Sequence, residues 1–231
     1  RRPQIPALAY QNTGLITSKS FTSDYHCGKS DLAILPSPFT LLMLSDLSGF
    51  CDKDEAVSKL SSILRNEADL LVREGYSRIQ YDEPALVYMQ SLGSLKSEHI
   101  DLLRRGLDIC GRISGATTIL HTYFGDATPL LSDLCSLLVD GIGIDGTETR
   151  IDDLVQHSFV DKELVLGLVD ARSTALENPA EVAATLHTVE ERCQPKRLYL
   201  TPNTGTEYRG WTHGLRKLEL LAETKRLFDH A

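Results

Sequence analysis

The residues in this sequence that could do chemistry stand directly after short apolar runs. The stretch RIQYDEPAL (Arg78–Leu86) places Asp82 and Glu83 between a strand-like run and Pro84. Further along come Ser37; Thr122, Tyr123 and Asp126; Asp145; Asp170 and Arg172; and Asn203 and Thr204. Clustered carboxylates hold an ammonium group or a divalent cation, or share a proton at raised pKa. An arginine among them either clamps a ligand carboxylate with its forked N–H donors or neutralises the acids. Any one of these residues also suits a helix N-cap or a strand-end turn, so the set says more than its members.

Such a set converges only if the elements before it end at one rim. Strand-like runs are Leu32–Leu35 with a continuation at Phe39–Leu44, then Arg78–Tyr81, Thr117–Tyr123, Gly141–Ile144, Leu164–Val169 and Arg197–Leu200. Helical spacing fills the gaps. Val57, Leu60, Leu64 and Leu71 recur at three or four within Asp52–Glu74, with Gly75 as the stop. Glu98–Cys110, Pro129–Val139, Pro179–Arg192 and Leu215–Phe228 follow, and Asn178 with Pro179 reads as N-cap and first helical position.

Strands alternating with helices at this spacing predict βαβ units and a parallel sheet. The choice lies between an open doubly wound sheet and a (β/α)8 TIM barrel. The barrel is preferred, because no Gly-rich phosphate loop follows a strand and polar residues end nearly every strand. The expectation is therefore an irregular segment over 1–30 and a single barrel domain over 31–231. Its first one or two units are incomplete or irregular in the chain shown.

Composition narrows the partners. In 231 residues, 42% are hydrophobic and 24% charged, as in an ordinary globular protein, and the net charge of −8 disfavours nucleic acid and anionic membrane surfaces. No apolar run nears the roughly 18 residues of a membrane span. The start, Arg-Arg-Pro-Gln-Ile-Pro, has no apolar secretory core and no initiator methionine, so the true N-terminus is expected elsewhere. The five cysteines are scattered and odd in number, which favours reduced thiols in a cytoplasm over a disulfide framework.

The phrases QYDEPAL, HTYFGD, VDGIGID, LGLVDARST and LYLTPNTGTEYRGW, in this order, resemble the cobalamin-independent methionine synthase family across roughly residues 33–228. That family transfers a methyl group to homocysteine (5-methyltetrahydropteroyltriglutamate–homocysteine methyltransferase) with two barrels, the C-terminal one carrying a thiolate-binding zinc. Single-barrel relatives also exist. Carried over, the family's His-x-Cys zinc ligands fall on Thr122 and Phe124, its glutamate ligand on Asp145, and its last cysteine ligand on Thr204. The histidine credited with protonating the leaving group falls on Arg172, and the folate-packing tryptophan falls near Leu44. Zinc needs about four N, S or O donors, which this set does not supply.

TYFGD and GLVDARS resemble the wording of the metal-free N-terminal barrel. The resemblance thus implies a zinc-less barrel that binds no cofactor itself and works with a separate zinc-bearing barrel. Its substrate-binding candidates are Asp82, Glu83, Thr122, Tyr123, Asp126, Asp145, Asp170, Arg172, Asn203 and Thr204. By analogy Asp82 holds a substrate ammonium; equally, its turn closes the barrel mouth. The methyl donor, a folate or a corrinoid protein, stays open.

Two other readings of the residues compete. One is a binding or scaffold barrel for an amino-acid-like ligand, without chemistry. The other is an enzyme with an oxygen-ligated cation such as Mg²⁺ at Asp82, Glu83, Asp145 and Asp170. His121 alone makes no metal site, and His26 with Cys27 lacks partners. Trp211, near His213, is expected to pack the last helix onto the barrel.

Overall fold

The computed structural model describes residues 31–50, 52–206 and 210–230. The irregular segment expected over 1–30, with His26 and Cys27, lies outside them. Among the described residues six strands form one parallel sheet: β1 (Leu32–Pro36), β2 (Arg78–Asp82), β3 (Thr117–His121), β4 (Gly141–Asp145), β5 (Glu163–Val169) and β6 (Arg197–Pro202). They lie in chain order, β1-β2-β3-β4-β5-β6. A doubly wound sheet would reverse direction at a switch point. This order never reverses, which is the winding of a (β/α) barrel.

The chain divides into two compact units, one reaching Leu120 and including Leu137–Asp140, the other made of His121–Ser136 and the chain from Gly141 onward. In the first, β1 and β2 pair in parallel from Leu32 opposite Arg78 to Pro36 opposite Asp82. The expected continuation of β1 over Phe39–Leu44 is instead a helix, α1 (Pro38–Leu44). Ser37 caps it, its Oγ accepting from the Thr40 N–H at 3.2 Å, and Pro38 takes the first helical position. Residues 38–42 are all buried. Five successive buried residues, followed by an exposed but apolar Met43, show no 3.6-residue polar–apolar period, which is why the run reads as a strand.

Helix α2 (Lys53–Arg73) follows its sequence pattern closely. Asp52 accepts from the Glu55 N–H at 2.8 Å, and Val57, Leu60, Leu64 and Leu71 are buried along one stripe. The helix stops at Gly75, whose φ of 97° is left-handed; the Gly75 N–H donates to the Val72 carbonyl and that of Tyr76 to Leu71. That pair of bonds is a Schellman ending. Helix α3 (Pro84–Ser91) starts at once after β2. In α4 (Ser97–Cys110), Gly106 allows α1 to approach: a Cβ there would stand 2.5 Å from that of Pro38.

In the second unit β4 is buried throughout and pairs with β5, which pairs with β6. Between Gly167 and Val169 the β5–β6 register shifts, leaving Leu168 as an extra residue. A bulge of this kind re-aims the side chains that follow it. The helix expected over 129–139 is a 3-10 turn (Thr128–Leu130) and a short α5 (Leu131–Ser136). The four-residue α6 (Ile151–Leu154) precedes α7 (Pro179–Cys193), whose cap is Asn178 as expected.

The last helix, α8 (Trp211–Asp229), buries Lys217, Leu220 and Thr224. Trp211, expected to pack this helix down, is 87% exposed at its first position. No helix among the described residues is long and apolar enough to cross a membrane.

Candidate functional site

In the first unit, Asp82 ends β2 and Glu83 caps α3. Glu83 is fully buried. Its Oε1 accepts from Thr40 Oγ1 at 2.8 Å and the Leu86 N–H at 2.9 Å. Its Oε2 accepts from the Thr40 N–H at 3.1 Å and from the Ser37 hydroxyl. A carboxylate has about four lone-pair sites, so Glu83 is fully engaged. Burial pushes its pKa up, and these hydrogen bonds pull it back only in part. Its role here is to tie the starts of α1 and α3 together. Asp82 is partly exposed and accepts from Gln80 Nε2 at 2.8 Å.

The second unit brings four of the predicted residues into one network: Asp145 at the end of β4, Asp170 and Arg172 after β5, and Asn203 after β6. Asn203 is its hub and is fully buried. Its Nδ2 donates to Thr147 Oγ1 at 2.9 Å, Asp170 Oδ1 at 3.1 Å and Asp145 Oδ2 at 3.4 Å. Its Oδ1 accepts from the Ala171 N–H at 3.0 Å.

Asp145 is 1% exposed. Its Oδ1 takes the Thr147 N–H at 3.0 Å and the Thr147 hydroxyl at 2.6 Å. The Phe124 N–H also donates to this carboxylate. Burial nonetheless raises its pKa above the usual carboxylate range. Asp170 behaves oppositely. Burial would raise it, but the Arg172 N–H, its guanidinium and the Asn203 amide together hold it below that range.

All three donors reach Oδ1: the Arg172 N–H at 3.0 Å, Arg172 Nε at 3.1 Å and Asn203 Nδ2 at 3.1 Å. The other oxygen, Oδ2, accepts nothing among the described residues, and the side chain is 30% exposed. Arg172 also reaches Glu148 at 2.8 Å and Thr147 at 3.3 Å, and its guanidinium lies 5.9 Å from the Phe124 ring centre.

The remaining predicted residues border this network. Thr122 donates its N–H and its hydroxyl to the Gly143 carbonyl, both at 2.9 Å. Tyr123 packs edge-on against Phe124, whose φ of 72° is left-handed and uncommon for an aromatic residue. Asp126 accepts from the Thr128 N–H at 2.8 Å in a local turn, and Thr204 is buried. His121 faces the interior, where burial lowers its pKa to about 4. Gly143 makes room for it, since a Cβ there would lie 2.3 Å from His121 Cδ2.

Thr147 and Glu148 join the network, and Glu177 with Lys217 backs the Asp170 turn; the strand ends alone point to none of the four. Asp145-Gly-Thr carries a readable signal for Thr147, since an acid followed two residues on by a hydroxyl is turn chemistry. Nothing in the sequence marks Glu177 or Lys217. Among the described residues no group of three or more His, Cys, Asp or Glu side chains could hold a metal.

A singly wound parallel sheet with polar residues at its strand ends is the architecture of the (β/α) barrel class of folds. The family model for the N-terminal domain of cobalamin-independent synthase matches residues 9–194. This chain belongs to the cobalamin-independent methionine synthase family.

It is 27% identical over 172 residues to a methionine synthase of Thermococcus kodakarensis, covering 74% of this chain and 49% of that protein. It is 32% identical over 158 residues to a 5-methyltetrahydropteroyltriglutamate–homocysteine methyltransferase of Streptococcus gordonii, covering 68% of this chain and 20% of the relative. The chain thus spans half or less of the length of these relatives. Among solved structures, a B12-independent methionine synthase from Shewanella in complex with selenomethionine superposes with a TM-score of 0.68 at 20% identity, covering 86% of this chain and 62% of that one. A methyltransferase from Methanosarcina mazei reaches 0.58 at 15% identity, covering 85% and 58%.

Proposed function

We propose that this chain is a zinc-less barrel of the methionine synthase family, binding an amino-acid-like ligand and serving methyl transfer to homocysteine with a separate zinc-bearing barrel. The observation that carries the ligand reading is Asp170. It is held ionised, with three donors on Oδ1 and none among the described residues on Oδ2. An ionised, half-engaged carboxylate is an acceptor for a ligand ammonium, and the neighbouring Arg172 suits the carboxylate of the same molecule. Tyr123, Asp126 and Thr204, in the same unit, are the further candidates for contact. The selenomethionine in the Shewanella relative supports an amino-acid ligand.

Zinc does not fit the positions that match the family's ligands. Thr122, Phe124 and Thr204 offer no thiolate or imidazole, and Asp145 already accepts hydrogen bonds from Thr147, Asn203 and Phe124. The Mg²⁺ reading loses ligands for a similar reason, because the oxygens of Glu83 and Asp145 point at protein donors.

The test measures zinc in the purified protein and its methylation of L-homocysteine, with folate or corrinoid-protein donors, alone and with a zinc-bearing barrel. The expected result is sub-stoichiometric zinc and turnover only with the second barrel. Full zinc and turnover by the chain alone would overturn the partner reading. A second reading, a binding module without chemistry, is favoured by how completely Asp145 is engaged. It predicts L-methionine binding but no turnover in any combination.

A further inference from the structure

Lys217 stands out among the residues the function does not use. It sits mid-way along α8, and its side chain is 3% exposed. A buried ammonium must satisfy its three N–H groups or it is strongly destabilising. Lys217 does so completely. It donates to Glu177 Oε1 and Oε2, both at 2.9 Å, and to the Ala175 carbonyl.

Glu177 in turn accepts the backbone N–H of Asp170 at 2.9 Å. The chain of contacts therefore runs from α8, through the Ala175–Glu177 segment, to the first residue of the Asp170–Arg172 turn. No sequence periodicity asks for a lysine on the buried face of α8, beside Leu220 and Thr224.

We infer that Lys217 and Glu177 are positioning residues: an ion-paired strut from α8 that holds the Asp170–Arg172 turn in its ligand-receiving geometry. The strut rests on the amino-acid reading of that turn only where ligand affinity is concerned. Glu177 is partly exposed, so without Lys217 its carboxylate is free to rotate toward water and release the Asp170 N–H. The turn then loses the anchor that keeps Asp170 Oδ1 under Arg172 Nε.

The Asp170 amide reports directly on this bond, so its hydrogen exchange is compared in the wild type, Lys217→Met, Glu177→Gln and Lys217→Arg. The Lys217→Met protein is expected to exchange this amide about five- to tenfold faster, the worth of one hydrogen bond. The amides of Ile142 and Ile144 in β4 should not change, and Lys217→Arg should restore protection. An unchanged Asp170 amide, or a rise shared equally by Ile142 and Ile144, would overturn the strut.

In the ligand arm, L-methionine affinity by calorimetry falls in Lys217→Met and recovers in Lys217→Arg. The losses of Lys217→Met and Glu177→Gln should be non-additive in the double variant. Wild-type binding that Lys217→Met leaves intact also overturns the inference. If the wild type binds no L-methionine, the ligand reading falls, and the Asp170 amide still decides the strut.

Discussion

Gly167 lies against Asn203: a Cβ at residue 167 would stand 2.6 Å from the Asn203 Cα. The hub of the polar network is thus seated on a strand with no side chain to displace it. Backbone cannot move aside as a flexible side chain can. Gly167→Ala is expected to separate β5 from β6 at the rim and cost about 1–3 kcal/mol, as overpacking does. Urea denaturation checks it, the midpoint falling with an unchanged slope.

Asn203 contributes donors where only donors fit. Asn203→Asp would turn Nδ2 into an oxygen facing Asp170 Oδ1 at 3.1 Å and Asp145 Oδ2 at 3.4 Å. The expected loss at neutral pH is at least the roughly 1–3 kcal/mol of a buried unsatisfied group. Part of it should be recovered on acidification, as one carboxyl takes up a proton. Thermal melts at neutral and mildly acid pH test this, and equal losses at both would contradict it.

Glu83 has a pKa raised by burial, so the folded state binds its proton more tightly than the unfolded chain does. Its contribution to stability is full below the ordinary glutamate range and is lost as pH rises through the folded value. Glu83→Gln should abolish that slope. It should also lower stability at every pH by about 1–3 kcal/mol, because an amide nitrogen must then face the N–H of Thr40 or Leu86. The difference between the two stability-versus-pH curves is the measurement.

His121 gives the opposite sign. With a folded pKa near 4, it stays neutral in the interior while the unfolded chain protonates first. Stability is therefore full above the ordinary histidine range and is lost as pH falls toward 4. His121→Phe should remove this acid loss, worth up to about 3 kcal/mol. Denaturant midpoints between neutral pH and 4 follow it; parallel curves for the two proteins would exclude the assignment.

Most strands were legible in the sequence because their apolar runs are short and end in polar residues. The ending of α2 was legible as well, since Gly75 supplies a left-handed stop that few residues share. α1 reads as a strand because its unbroken apolar run hides helical periodicity, leaving Ser37 and Pro38 as the clue to a helix start. Trp211 reads as packed because large apolar residues are usually covered, yet it stands exposed at the start of α8. Of the candidate site, Asp145, Asp170, Arg172 and Asn203 could be read from strand ends alone. Glu83 could not be told apart from them, because its inward turn depends on Thr40, distant in sequence. Lys217 could not be found, since its partner Glu177 is tied to it only by folding.

The extra residue at Leu168 carries a lesson about how such rims diversify. Side chains on a strand alternate with a period of two, so a one-residue change in chain length ahead of Asp170 would swing the acid to the other side of the sheet. Val169, buried just before it, would turn with it. The spacing of this strand's final turn therefore decides on which side of the sheet Asp170 stands.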